Sequence, residues 1–424
     1  MKKSSAFFLK IGYDKKRIEG AKIKMLLKTI GYTFLIGCLV IAGSVCAQDD
    51  FAVWKQEFKA QALEAGVSEH TLNKFLPRMA LLPQVVQADK KQPEFVSTFW
   101  DYIDARLTED RIQHGKMLLK RYPTWLARIS ERYQVPKEYI LAFWGMETKY
   151  GQIMGKTDVL NALTTLAYDQ RRRKFFTREL IAFLKILERE KWDSVQGSWA
   201  GAFGHFQFMP TTFEAYAVDA DENGTRNILV SMPDAFASAA NYLHKMGWNP
   251  NETWGQEVRL DSNLNLSRMY DGRSKKLSTW KKLGVVPVSG SWKAFENTEA
   301  FLSMPMGSNG PLFLTFPNFQ RVMKWNKSEL YALSVCFLAD MLSEQWTEIA
   351  HPRSNQKLST QDVVQIQDHL KDLGYYPEDP DGLVGPKTRQ AILTFQKARG
   401  IPEDGYPSKE LLDILDSYRK ELNK

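Results

Sequence analysis

Cysteine is scarce, with three in 424 residues, and two of these, Cys38 and Cys46, fall within the first 47 positions. The remaining body keeps Cys336 alone, in the apolar stretch from Leu333 to Leu338, which excludes a disulfide framework and a thiolate metal cluster. A lone thiol in such company reads as a small core residue. The six histidines show no metal-ligand spacing, and no phosphate-cradling glycine loop or nucleophilic serine motif occurs. An excess of charge of one sign is missing too, once its location is noted. The net charge is +8, but residues 1–47 hold nine Lys/Arg against Asp14 and Glu19, so about +1 remains for the rest. That removes the main electrostatic reason for a nucleic-acid partner. Disorder is excluded as the main state by 44% hydrophobic and 25% charged residues, a composition that supports two or three cores.

The one long apolar run, Tyr32 to Val45, is shorter than the ~20 residues a spanning helix prefers. It follows a basic stretch ending at Lys28 and precedes small residues up to Ala47, the order of an export signal. Met25 begins a segment that is already a complete signal of this kind. Residues 1–47 are therefore read as a signal peptide or an N-terminal anchor. Leu35-Ile36-Gly37-Cys38 resembles a lipoprotein cleavage box, so membrane attachment through this segment is the competing reading.

From Phe51 to about Met246 the apolar spacing of three and four predicts helices, broken at Pro123, Pro136, Gly151 and Gly197. Residues of about 255–318 change character: Val258 to Leu260, Val285 to Val288 and Leu312 to Phe316 are short β-prone runs between turn residues, read as a strand-containing insertion. A helix returns from Ser328 to Ser343. Residues 347–360 form a linker, and residues 361–424 a compact unit with helices near Thr360 to Leu373, Pro386 to Arg399 and Ser408 to Tyr418. Asp379-Pro380-Asp381-Gly382 and Pro402-Glu403-Asp404-Gly405 mark a degenerate repeat inside it. The fold class expected is mainly α.

Chemistry concentrates in two segments. In the helix that follows Pro136, the residues Ile140, Leu141, Phe143, Trp144 and Met146 make more than one face apolar, so the helix is buried. Glu147 lies in its last turn, beside aromatic rings and at the negative end of the helix dipole. Desolvation and that field both raise a carboxyl pKa, as a general acid near neutrality requires; the plainer reading is a glutamate reaching solvent from a helix end. The stretch from Gly197 to Pro210 packs glycines, aromatics and Gln207 together in a way neither helix nor strand favours. Glycines allow close backbone approach, rings stack on sugars, and an amide binds N-acetyl or hydroxyl groups. Its plainer reading is a loop packed by its own rings, with His205 as groove lining or packing.

Gly145-Met-Glu-Thr-Lys-Tyr-Gly151, the Gly197 to Pro210 segment, Ala240-Asn241-Tyr242-Leu243 with Gly247-Trp248, and Trp325-Asn326-Lys327-Ser328 with Tyr331 together resemble the ordered motifs of the membrane-bound lytic murein transglycosylase B family. The resemblance implies a goose-lysozyme-like helical catalytic domain over residues 49–346. It implies Glu147 as the single catalytic acid and Ser198, Gln207, Tyr242 and Asn326 as residues lining a sugar groove. A Tyr often precedes the Asn of the last motif, and Trp325 stands there instead. The implied substrate is the peptidoglycan glycan strand in the periplasm. The mechanism the resemblance implies has Glu147 protonate the oxygen between N-acetylmuramic acid and N-acetylglucosamine and then deprotonate the C6 hydroxyl, which closes a 1,6-anhydro ring without water. Two alternatives stay open: a muramidase using water, for which Asp169 or Asp193 are nominal second acids, and a non-catalytic wall-binding scaffold.

No cofactor is required by this chemistry. Asp219, Asp221, Asn223 and Asn227, with Gly224 at position six, match an EF-hand-type calcium loop, and the family often has a calcium-binding loop here. Position twelve is Val230, where a bidentate acid belongs, and a polar turn closed by Asn223-Gly224 is the alternative. The C-terminal unit resembles the peptidoglycan-binding type 1 domain through Leu373-Gly374-Tyr375-Tyr376, Asp381-Gly382 and Gly385-Pro386-Lys387-Thr388. A weak anchor of that kind raises the local concentration of substrate.

Overall fold

The structure is a computed structural model and describes residues 50–90, 98–261, 273–346, 348–350 and 358–422. The leader assigned to residues 1–47 lies outside them. Among the described residues no helix is long and apolar enough to cross a membrane. The chain divides between Pro77 and Arg78 into two compact units. In the first, α1 (50–64) and α2 (Glu69–Phe75) are joined by a turn in which Ser68 caps α2, its hydroxyl accepting from Thr71 N.

The second unit opens with α3 (Pro83–Lys90), α4 (Phe99–Arg106), α5 (Glu109–Arg121), α6 (Pro123–Tyr133) and α7 (Lys137–Thr148). It continues through β1 (Thr157–Asp158), α8 (Val159–Tyr168), α9 (Arg173–Arg189), β2 (Gln196–Gly197), α10 (Pro210–Tyr216) and α11 (Met232–Lys245). Helix starts follow the side-chain chemistry of the residue in front. Thr98, Thr108, Asp158 and Ser231 each accept a backbone N–H of the turn they cap, which satisfies one of the donors a helix start leaves open. In α7, residues Tyr139 to Gly145 are all buried, as its all-round apolar sequence requires. It packs against α5, α6 and α11 and against a later helix, Glu329–Leu342.

The insertion is a five-stranded antiparallel sheet in the order β4-β6-β7-β3-β5. Its strands are β3 (Gly255–Leu260), β4 (Lys275–Lys276), β5 (Val285–Pro287), β6 (Glu299–Ser303) and β7 (Leu312–Thr315). Helix α12 (Leu277–Lys282) carries Trp280, which is fully buried among Val258, Leu302 and Leu314. The three β-prone runs are strands, and β4 and β6 join them unannounced. In β6 only Ala300, Leu302 and Ser303 are buried, so its apolar signal is too short to stand out. The chain then returns to helix with α13 (Pro317–Trp325) and α14 (Glu329–Leu342), the latter capped by Ser328 and buried on nearly every side, Cys336 included.

Three helices complete the chain, α15 (Thr360–Asp372), α16 (Pro386–Arg399) and α17 (Lys409–Leu422), around a core of Ile366, Leu370, Ile392, Phe395 and Leu415. The internal repeat has a side-chain cause. Gln367 on α15 donates to Asp381 Oδ1 at 2.8 Å and accepts from Gly382 N at 2.8 Å. Gln396 on α16 donates to Asp404 Oδ1 at 2.7 Å and accepts from Gly405 N at 2.9 Å. Each buried amide thus fastens one Asp-Gly turn, so the same dipeptide recurs in the sequence.

Candidate active site

Helix α7 ends in a tight left-handed turn. Its cap is Lys149 (φ 48°), followed by Tyr150 (φ 59°) and Gly151 (φ 83°), so the helix ends at Thr148, three residues before the glycine that marks its end in the sequence. Two non-glycine residues in this region store strain, and packing holds them there. Tyr150 is buried between α5 and α7, its hydroxyl donating to Arg111 O at 3.0 Å. A Cβ on Gly145 would stand 2.7 Å from the Tyr150 ring, and one on Gly151 2.6 Å from the His205 ring. The glycines of the Gly145 to Gly151 motif are therefore spacers for two rings.

That turn presents Glu147, half-buried. Its Oε1 accepts from Trp325 Nε1 at 2.9 Å and from the Tyr331 hydroxyl. Trp325 ends α13 and sits in an aromatic box, with ring centroids 4.4 Å from Phe143, 4.8 Å from Tyr242, 5.4 Å from Phe208 and 6.2 Å from Phe206. The carboxyl is thus walled by rings and fed by two donors. Tyr331 is buried, and burial together with the neighbouring Glu147 raises its hydroxyl far above the ordinary phenol value. It stays protonated and donates.

The glycine-rich segment is a pair of tight turns rather than an open loop. Phe203 and Phe208 exchange both backbone hydrogen bonds at 3.0 Å, and Ser198 Oγ accepts from Ala202 N at 3.0 Å. It is pinned to α7: Thr148 Oγ1 donates to His205 O at 2.8 Å, and Trp144 Nε1 donates to His205 Nδ1 at 3.0 Å. The imidazole is therefore an acceptor at Nδ1, and burial pushes its pKa down to about 4. His205 is a packing residue, one of the two readings its sequence position allowed.

The remaining groove candidates fall around this frame. Gln207 (φ 49°) gives its amide protons to Met154 O at 3.1 Å and Gly204 O at 3.0 Å, and its Oε1 has no partner among the described residues. Tyr242 donates to Lys324 O at 2.9 Å, and burial lifts its hydroxyl to about 12. Asn326 accepts from Ser328 N at 3.0 Å through Oδ1, while its Nδ2 has no partner among the described residues. Tyr242 and Asn326 are brought to Glu147 through Trp325, and Gln207 through Phe206 and Phe208 on either side of it. Ser198 shares the loop of Gln207, and among the described residues no hydrogen bond joins it to Glu147 or Trp325. Trp325 and Tyr331, which touch the carboxylate, stand in the last sequence motif, and nothing in the sequence assigns either of them to Glu147.

The acidic loop closes differently from the expected twelve-residue pattern. Carboxylate oxygens of Asp219, Asp221 and Asp234 lie within 4.8 Å of one another. Asn223 Oδ1 is taken by Thr225 N at 3.0 Å and Thr225 Oγ1 at 2.7 Å, and Asn227 Oδ1 by Leu229 N at 3.2 Å. Those two asparagine side chains serve local turns. The third acid is Asp234, fully buried in the first turn of α11, beyond the position twelve that Val230 leaves apolar and 75% exposed. A Ser231-x-x-Asp234 capping pattern was the only sequence signal for it. An all-oxygen set of three carboxylates suits a hard cation such as calcium.

Residues 50–340 match the transglycosylase SLT domain family, and residues 359–415 match the peptidoglycan binding domain family. Membrane-bound lytic murein transglycosylase B of Escherichia coli (strain K12) is 33% identical over 233 residues, 54% of this chain and 63% of that protein. The match thus spans less than two thirds of that relative's length. Among solved structures, SltB3 from Pseudomonas aeruginosa in complex with NAG-anhNAM-pentapeptide is 38% identical, with a TM-score of 0.79, covering 86% of this chain and 99% of that one. The Escherichia coli lytic transglycosylase SLT35 in complex with calcium is 27% identical, with a TM-score of 0.59, covering 68% of this chain and 92% of that one.

Proposed function

The chain belongs to the transglycosylase SLT domain family, and from that premise we propose that it cuts the β-1,4 bond between N-acetylmuramic acid and N-acetylglucosamine in peptidoglycan. Glu147 is the acid. As a neutral carboxyl it gives its proton to the glycosidic oxygen while the C1–O bond breaks. As a carboxylate it then takes the proton of the muramoyl C6 hydroxyl, whose oxygen bonds to C1 and closes the 1,6-anhydro ring. Nucleophile and electrophile sit on one sugar, which supplies the orientation advantage of an intramolecular step. Gln207 Oε1, an acceptor, and Asn326 Nδ2, a donor, suit the N-acetyl and hydroxyl groups of the flanking sugars. Ser198 and Tyr242 border the same groove.

The observation that carries this reading is the Glu147 carboxyl, set in an aromatic box and gripped by two donors. Of the two nominal second acids of the hydrolytic alternative, Asp169 is engaged by Arg171 in the turn after α8 through its backbone N–H at 2.9 Å and its guanidinium at 3.4 Å. Glu147→Gln removes the transferable proton, and release of soluble fragments from purified sacculi should fall by about 10²–10⁴-fold, the usual worth of a general acid–base group. A variant as fast as the wild type contradicts the assignment.

The exported location follows from the leader pattern, with the periplasm as the compartment that holds the substrate and the N-terminal segment as the membrane attachment if it is retained. The C-terminal module binds the same wall. Asp219, Asp221 and Asp234 are the residues to hold calcium, whose contribution is to stiffen the loop before α11. Chelation should lower the melting temperature by several degrees, and Asp234→Asn should erase the difference between calcium and chelator. A melt unmoved by calcium contradicts the site.

A further inference from the structure

We propose that Trp325 is a positioning residue that fixes which oxygen of Glu147 carries the catalytic proton. The proposal rests on the reading of Glu147 as the acid and deepens it. An indole N–H only donates; it cannot accept a hydrogen bond. With Trp325 Nε1 at 2.9 Å from Oε1, one lone pair of that oxygen is occupied in either protonation state. The other lone pair faces the Tyr331 hydroxyl. A proton on Oε1 would force Tyr331 to accept it and turn its own hydrogen elsewhere, and that buried hydroxyl has no other hydrogen-bond partner among the described residues. An unpaired buried hydroxyl proton is costly. Both donors therefore point into Oε1, and the proton resides on Oε2.

The consequence is a division of labour within one side chain. Oε1 is held by α13 and α14 and does not rotate. Oε2 loses its proton to the glycosidic oxygen as the C1–O bond breaks, then regains one from the C6 hydroxyl as O6 bonds to C1, so the residue ends as it began. The Trp found where the family often has Tyr keeps a donor aimed at the acid, and its ring cannot reverse the direction of the bond as a phenol can.

Among the neighbouring phenols, Tyr242 on α11 gives its hydrogen to Lys324 O, and Tyr102 on α4 acts on Tyr331 through its electrostatic field. The cations Lys149, Lys324 and Lys327 are exposed. The titration that matters is that of Glu147 itself. A donor into Oε1 favours the anion, so its removal raises the carboxyl pKa. Activity of a general acid falls as pH rises through that pKa, and the falling limb moves to higher pH.

The experiment is the pH profile of kcat/KM for Trp325→Phe on a soluble glycan fragment. We expect kcat to fall by about 10–100-fold with KM within about threefold, and the alkaline limb to move up by about one pH unit. A limb that stays in place, whatever happens to kcat, overturns the proposal, because a merely structural loss lowers activity without shifting it. Trp325 packs against four rings, so site-specific replacement by benzothienylalanine, which keeps the indole shape and deletes the N–H, gives the same test without a cavity. Glu147→Gln distinguishes the two layers. If it is inert while the Trp325 variants leave the limb unmoved, this inference alone fails; if it stays active, the reading of the acid fails with it.

Discussion

In the proposed reaction the carboxyl gives up a proton and takes one back, so it has to be held still without being quenched. Here Trp325 and Tyr331 hold Glu147 with neutral donors, so no counter-charge pins it as an anion through either contact. The loop opposite is held by another neutral group. His205 accepts from Trp144 and titrates near 4 when folded, against 6.5 in its ordinary state. Its burial favours the neutral ring, so the stability it confers is complete above about pH 6.5 and drains away as pH falls toward 4, where the unfolded chain takes up the proton first. The loss amounts to about 2–3 kcal/mol. Asp340, lifted to about 6 by burial, slopes the opposite way over the same range. The decisive quantity is therefore the difference between wild type and His205→Gln in denaturant melts from pH 7 to pH 4. That difference should shrink steadily as pH falls, and a constant difference contradicts the account.

Much at this scale was legible, and what was not has a physical reason. Glu147 stands out in the sequence through the motif resemblance together with its place at the end of an apolar helix, where a glutamate reaching solvent is the plainer reading. Its two donors were not assigned because they lie 178 and 184 positions away, and Trp325 looked like the loss of a hydroxyl when its indole N–H supplies the donor instead. Asp234 was hidden because it sits in a helix turn, where an acid reads as a cap.

Elements carry the precision of the site through contacts that leave no room. The α5–α7 crossing is set by Tyr150, which fills the space left by two glycines: a Cβ on Gly115 would lie 2.4 Å from the Tyr150 hydroxyl, and one on Gly145 2.7 Å from its ring. Gly145→Ala should cost about 1–3 kcal/mol by overpacking. It should also lower activity further than the melting temperature predicts, because the displaced ring belongs to the turn that aims Glu147. A melt and an activity assay on the same sample check this; a variant as stable and active as wild type would show the slot to be loose. Helix positions were readable from caps and spacing, since Ser328, Ser359 and Thr108 each begin a helix where side-chain chemistry demands. The sheet was half readable. Strand β4 is two residues long and β6 mixes exposed and buried positions, so neither offers a period of two long enough to recognise.

At the scale of the whole molecule, the C-terminal module is fastened and not merely strung on a linker. Asp404 Oδ2, the oxygen its own turn leaves over, accepts from Ser308 N at 2.8 Å, and Asn309 Nδ2 donates to Glu410 at 2.7 Å. The sequence predicted a tether, because a contact of one loop with a turn about a hundred residues later has no local signature. All named partners of Glu147 lie before residue 332. A chain lacking residues 359–424 should therefore cut short soluble glycans within about threefold of the wild-type kcat while binding to sacculi is lost. Retained pull-down, or collapse of activity on short glycans, would contradict that separation.

The claim beneath all of this is that one carboxyl serves as acid and then base and that no water enters the bond. Digesting purified sacculi in water enriched in heavy oxygen, and weighing the released muramoyl ends by mass spectrometry, tests it most directly. The account predicts ends lighter by one water and free of the label. Full-weight reducing ends carrying heavy oxygen at C1 would contradict it.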